Sequence, residues 1–168
     1  MKDELVIHTK PKSNISEDIR TIRTNLQFTT SDEESKVILV TSSIPGEGKS
    51  FISSNLAAAF AQIDKKVLMV DTDMRKGRQY SLFNLHPRPG ISNFLSGVVD
   101  QDFVGQKENI ENYIQETDVD NLYLIPAGSV PPNPSELLVS NKMKNIIERL
   151  KEHFDVVIFD APPSLIVA

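Results

Sequence analysis

Between Val37 and Ile63 an apolar β-branched run, a glycine-bearing loop and a helical pattern follow one another without interruption. Val37 to Thr41 has the length and composition of a buried strand. The loop Ser42-Ser43-Ile44-Pro45-Gly46-Glu47-Gly48-Lys49-Ser50 comes next, and Ile52, Leu56, Ala59, Phe60 and Ile63 then recur at helical spacing. A loop in that position surrounds an anion with backbone N–H groups and the positive end of a helix. Gly46 and Gly48 leave the backbone free to curl. In the phosphate-loop pattern the lysine reaches the outer phosphates and the next hydroxyl ligates Mg²⁺, roles that fall here to Lys49 and Ser50. That pattern wants a glycine where this chain has Ser43, so strict agreement is confined to Gly48-Lys49-Ser50. The expected ligands are ATP and Mg²⁺, and the expected nucleotide contacts are Ser43, Pro45, Gly46, Glu47, Gly48, Lys49, Ser50 and Phe51. A dinucleotide-binding loop competes, because Asp71 lies about 20 residues beyond the glycines, where such folds place an acid for the ribose. Its third glycine would fall at Phe51, whose ring blocks the close approach of helix and strand.

Three further apolar runs have strand length, Val67 to Asp71, Leu122 to Pro126 and Val156 to Asp160, and all four are expected to be buried on both faces. A second helical pattern carries Leu137, Leu138, Met143, Ile146, Ile147 and Leu150 and starts at Pro134 with Asn133 as cap. An N-terminal helix over about residues 14–28 is predicted from a capping box, Asn14 with Glu17, followed by Ile19, Ile22 and Leu26 on one face. Strands alternating with helices predict an α/β fold, a doubly wound and mainly parallel sheet of the P-loop NTPase type with helices on both faces. Residues 77–118 carry less pattern: a loop at Pro87, Pro89 and Gly90, a short helix from Ser92 to Ser96, then a polar, acidic stretch. The 168 residues suit a single domain. Ala161 to Ala168 ends on apolar residues without a terminator, which predicts that the domain continues past this sequence.

Composition removes alternatives. With 39% hydrophobic and 24% charged residues the chain sits among globular proteins. No apolar stretch approaches the roughly 18 residues of a membrane helix, and Met1 to Asn14 is too polar for a secretory signal, so a cytoplasmic chain is expected. The absence of cysteine excludes disulfides and thiolate metal sites. A net charge of −5 argues against a nucleic-acid partner.

Asp71 and Asp73 close one strand, and residues two apart on an extended chain point the same way, so both can face one metal. Asp160 ends another apolar run, at the strand end where Mg²⁺ is usually held. Phosphoryl transfer needs positioning and charge neutralisation more than covalent chemistry. Lys49, Asp71 and Asp73 are therefore the expected catalytic residues, and Ser50, Asp71 and Asp160 the expected metal ligands, with the division of base and ligand between Asp71 and Asp73 left open. Arg75, Lys76 and Arg78 follow as a basic cluster able to attract phosphate or an acidic acceptor segment.

The loop Ser42 to Ser50, then Val-Leu-Met-Val-Asp-Thr-Asp-Met-Arg at 67–75, then Val-Val-Ile-Phe-Asp-Ala-Pro-Pro at 156–163, resembles the Walker A, A′ and B motifs of bacterial tyrosine kinases of capsule and exopolysaccharide synthesis. Ser43 is similar to the serine this family usually has in place of the first Walker glycine. Ile91 to Gly97 and Pro126-Ala127-Gly128, leading to Pro131 to Leu138, also look like family signatures, and both more readily shape loops than carry chemistry. The resemblance implies an ATP-dependent, autophosphorylating protein-tyrosine kinase acting on tyrosine acceptor proteins. It implies that Glu17, Arg20 and Arg23 join protomers into a ring, where the residues alone read as one intrahelical pair on a wet surface. It further implies a tyrosine-rich tail beyond this sequence, and activation by the cytoplasmic tail of a membrane polysaccharide chain-length regulator, which would recruit the chain to the inner face of the membrane. Two other readings stay open. A chromosome-partitioning or septum-positioning ATPase switch shares this fold but usually carries a signature lysine where this chain has Ile44, and a nucleotide-binding assembly module would no longer catalyse.

Overall fold

The structure, a computed structural model, describes residues 3–29, 31, 34–98 and 109–165. Among these, five strands, β1 (Lys36–Val40), β2 (Val67–Asp71), β3 (Gln115–Glu116), β4 (Leu122–Ile125) and β5 (Val156–Asp160), form one sheet in the order β1-β5-β2-β4-β3. The first four in that order run parallel, and β3 pairs antiparallel with β4. The four long strands are those read from the apolar runs. The two polar residues of β3 carry no strand pattern of their own; the ladder with Leu124 and Tyr123 makes them a strand.

Helices cover both faces, as a parallel sheet requires. On one side lie α1 (Val6–Thr9), α2 (Asn14–Gln27) and α3 (Lys49–Ala61), with Leu5, Ile7, Ile19, Leu56 and Phe60 packed over Met69, Leu124 and Ile158. The short α4 (Gln79–Leu82) closes this core with Leu82 and Phe83. On the other side, α5 (Ile91–Ser96), a 3₁₀ turn at Ile110–Tyr113 and α7 (Asn141–His153) pack Phe94, Tyr113, Ile146 and Leu150 over Leu68, Val157 and Phe159. Phe94 and Tyr113 meet edge to face, with ring centroids 5.4 Å apart, a favoured aromatic geometry.

Four expectations are corrected. β1 is not buried on both faces: Ile38 and Val40 pack against the first core, whereas Val37 and Leu39 are 43% and 65% exposed. β1 is the edge of the described sheet, paired only with β5, and no described helix lies over that face. The second helical pattern is two helices, α6 (Pro134–Leu138) and α7, because Ser140 caps α7 by accepting from Met143 N at 3.2 Å and donates to Leu137 O at 2.7 Å. Asn133 precedes α6 but makes no capping bond, its amide going to Glu136 at 2.8 Å. At α2 the cap is Ser13 rather than Asn14, accepting from Ser16 N at 3.2 Å. Residues 99–108 of the polar, acidic stretch that follows α5 lie outside the described residues.

Candidate active site

The carboxyl ends of β1, β5 and β2 are adjacent, and each delivers one part of the site. β1 runs into the phosphate loop, and Gly48 turns that loop into α3 from a left-handed conformation, φ +89, with open space around it. Its role is therefore conformational: a side chain would fit the space but strain the backbone. The segment after β5 holds the loop from behind, with Ala161 N donating to Val40 O and Ser164 N to Ser42 O, both within 2.9 Å. Residues 161–165 thus back the loop.

A cleft of about 430 Å³ opens at this point. Pro45, Gly46, Gly48, Lys49, Ser50 and Phe51 line it from the loop, and Asp73 and Met74 from the segment after β2. Ser43 and Glu47 do not. The Glu47 carboxylate instead folds back onto the loop, accepting from Ser43 N at 2.8 Å and Ile44 N at 3.1 Å, so these two residues shape the cradle from outside the cleft.

The carboxylates separate into different environments. Lys49 Nζ donates to Asp73 Oδ2 at 3.2 Å and lies 3.8 Å from Asp160 Oδ1 and 3.5 Å from Ser50 Oγ. Asp71, expected to point with Asp73, does not: β2 ends at Asp71 and a tight turn, Met74 N to Thr72 O, breaks the alternation. Both Asp71 oxygens accept backbone N–H groups, from Asp73 at 3.2 Å and Gln79 at 3.2 Å, and its side chain does not line the cleft. Its register partner across the β2–β5 ladder is Asp160. Burial first, and then the Asp160 charge, push the Asp71 carboxyl up to about 7.

Gln79 is the site residue that motif reading missed. It is buried, and its Nε2 donates both to Asp160 Oδ2 at 2.8 Å and to Ser50 O at 3.0 Å, while its backbone N–H holds Asp71. The sequence signal was faint, a polar residue on a one-turn helix. With Oδ2 so held, Asp160 Oδ1 is buried without a hydrogen-bond partner among the described residues. A carboxylate oxygen without a hydrogen bond, with Lys49 Nζ 3.8 Å from it and 3.5 Å from Ser50 Oγ, suits a hard cation such as Mg²⁺. No three Asp, Glu or His side chains among the described residues converge to cage a metal unaided. That fits Mg²⁺, which takes one or two protein ligands and fills its shell with phosphate and water.

The family described as an AAA domain matches residues 35–168. The putative tyrosine-protein kinase CapB of Staphylococcus aureus is 41% identical over 159 residues, 95% of this chain and 66% of that protein. The tyrosine-protein kinase YwqD of Bacillus subtilis is 40% identical over 168 residues, 100% of this chain and 67% of its own length. The chain belongs to the bacterial tyrosine-protein kinase family. Among solved structures of the family, the kinase domain of the Escherichia coli tyrosine kinase ETK superposes with a TM-score of 0.85 at 36% identity, covering 97% of this chain and 60% of that one. The chain thus spans about two thirds of the length of the first two relatives. Its sheet and loop are those of a nucleotide-binding P-loop fold.

The residues that this family resemblance singled out on α2 lie far from the cleft and are not alike. Arg20 pairs with Glu17 at 2.8 Å and with Pro11 O at 2.8 Å near the surface. Arg23 turns inward, donating to Ala59 O at 3.0 Å on the last turn of α3. Among the described residues no helix is long and apolar enough to cross a membrane.

Proposed function

We propose that this chain binds ATP with Mg²⁺ in the phosphate-loop cleft and transfers the γ-phosphoryl group to a tyrosine hydroxyl. The observation that carries this reading is the 3.2 Å approach of Lys49 Nζ to Asp73 Oδ2 beside the loop, which brings a phosphate-holding cation and a proton acceptor to one point of the cleft. Lys49 leaves the carboxylates for the β and γ phosphates, whose charge attracts it more strongly than one or two carboxylates do. Ser50 Oγ and Asp160 Oδ1 would hold the cation once Lys49 has moved to the phosphates, and Gln79 fixes Asp160 in that orientation. Mg²⁺, when bound, offsets charge on the phosphates.

Asp73 acts on the acceptor. The tyrosine oxygen bonds to the γ phosphorus, the bond to the β,γ-bridging oxygen breaks, ADP departs, and the hydroxyl proton passes to the Asp73 carboxylate. Asp73 suits this role better than Asp71, because it lines the cleft while both Asp71 oxygens are engaged by backbone. Asp71 is a positioning residue that sets the turn carrying Asp73.

Two wider aspects rest on kinship. Glu17 and Arg20 would exchange their mutual pair near the surface for pairs between protomers of a ring, and Arg23 would have to release Ala59 O. Activation by the cytoplasmic tail of a membrane chain-length regulator, in control of capsule or exopolysaccharide synthesis, belongs to the same reading.

Incubation with labelled ATP and Mg²⁺ tests the assignment. Label on protein tyrosine that is abolished by Lys49→Met is expected. Free phosphate alone would favour an ATPase switch, although the exposed, apolar Ile44 stands where a switch places its lysine. Nucleotide binding with neither product would favour an assembly module.

A further inference from the structure

The catalytic cleft does not end at Asp73. A second hollow of about 300 Å³ adjoins it, and the two share Met74 and Arg75 as a common wall. From that wall the hollow runs past Gly77 and Arg88 to Gly128 and Val130. Its lining includes two arginines, Arg75 and Arg88, and no carboxylate, in a chain whose net charge is −5. Both arginines are exposed, and neither makes a side-chain hydrogen bond or ion pair among the described residues. Neighbouring Arg78 differs, because it is spent on Glu4 at 2.7 Å. The near side of this path is apolar: Met74 is buried, and Pro134 and Leu138 of α6 face the catalytic cleft.

From this arrangement we infer that the second hollow is the docking groove for the acceptor, and that it takes a tyrosine-bearing peptide segment with acidic residues close to the tyrosine. The inference rests on the kinase reading and names its substrate class. The aromatic ring packs against the apolar wall of Met74, Pro134 and Leu138, with its hydroxyl toward Asp73. The chain on one side of it continues over Met74 into the hollow, where flanking carboxylates meet Arg75 and Arg88. Two unpaired guanidinium groups without a competing acid attract carboxylates and repel lysine. The occupant is a polypeptide rather than a second nucleotide, because the groove continues outward from the point where the hydroxyl must sit and carries an exposed hydrophobic rim at Val130.

Three fluorescent peptides, one tyrosine each, flanked by glutamate, alanine or lysine, test this on the full chain loaded with a non-hydrolysable ATP analogue. Anisotropy should rank them glutamate, alanine, lysine, with about tenfold between the extremes near 0.1 M salt and a narrower spread near 0.5 M. Arg75→Glu and Arg88→Glu together, which replace both positive charges of the lining with negative ones, should invert the order, an outcome that loss of folding cannot imitate. Equal affinities in the unaltered chain, or a ranking that this pair of substitutions leaves unchanged, would overturn the groove. Phosphoryl transfer to the same peptides separates the two layers. Transfer blind to flanking charge sinks the groove and keeps the kinase, and charge-ranked binding without transfer does the reverse. Neither binding nor transfer overturns both.

Discussion

Asp71 and Gln79 do not line the cleft, yet hydrogen bonds tie them to Asp73 N and to the Asp160 carboxylate beside it. Asp71 holds its proton more tightly in the folded protein, up to about 7, than in the unfolded chain, where the ordinary value is 3.8. Between those values the folded state binds more protons than the unfolded one, so this group's contribution is fully present below the unfolded value and is lost as pH rises toward 7. In protein stripped of cations with a chelator, the unfolding free energy should therefore fall between about pH 5 and pH 7. Asp71→Asn should flatten that decline, and an unaltered slope would remove Asp71 as its source. Gln79→Ala removes its bonds to Asp160 Oδ2 and Ser50 O, and the buried Asp160 oxygen left without that donor costs about 1–3 kcal/mol. The sharper consequence concerns Mg²⁺. Without Gln79 the Asp160 carboxylate is free to rotate toward Lys49, so affinity for an ATP analogue with Mg²⁺ should drop further than affinity without it. Equal losses in the two titrations would reduce Gln79 to a packing residue. Neither position was legible beforehand: strand alternation predicts that Asp71 and Asp73 face one metal together, and only the turn at Thr72–Met74 reveals that the alternation stops at Asp71.

The two loop signatures without obvious chemistry turn out to be one device. Ile91 N and Ser92 N of α5 donate to Pro126 O and Ala127 O, and Asn93 Oδ1 accepts from both Gly90 N and Ser129 N. A Cβ on Gly128 would collide with the Asn93 and Ser92 side chains, and its φ of +87 already disfavours any other residue. This lock sets the floor of the second hollow, since Gly128 and Ser129 line it. Gly128→Ala should therefore destabilise the protein by more than about 1 kcal/mol in chemical denaturation, where a tolerant glycine would change little or gain. The elements that the sequence disclosed are those written in an apolar run or in apolar residues at regular helical spacing, namely β1, β2, β4, β5, α2 and α3. Those it hid are one turn long or made by a partner. α1 buries Leu5 and Ile7 within a polar N-terminus, α4 is a single turn, and β3 exists through its ladder with β4. The break between α6 and α7 was hidden because Leu137 and Leu138 keep the helical spacing of α7 while Ser140 interrupts the backbone.

Two cores divided by one sheet raise the question of whether the molecule unfolds as a unit. Leu68 and Met69 are neighbours on β2, both fully buried, and point into opposite cores. Each truncation to alanine removes a buried side chain and leaves a cavity, at a cost of about 2–5 kcal/mol. If the layers were independent, each variant would loosen only its own side. The sheet argues otherwise, because β2 is bonded to β4 and β5 along its length, and every bond belongs to both layers at once. Losing one core would leave those strands with a bare apolar face. Met69→Ala, a change in the core under α3, should therefore reduce hydrogen-exchange protection in α7, on the far face, to the same degree as in α3. Leu68→Ala should do the same in reverse, with one denaturation transition in each case. Protection lost in α3 but retained in α7 would show that the two layers open separately. The catalytic ends of β2 and β5 would then rest on whichever layer opened last.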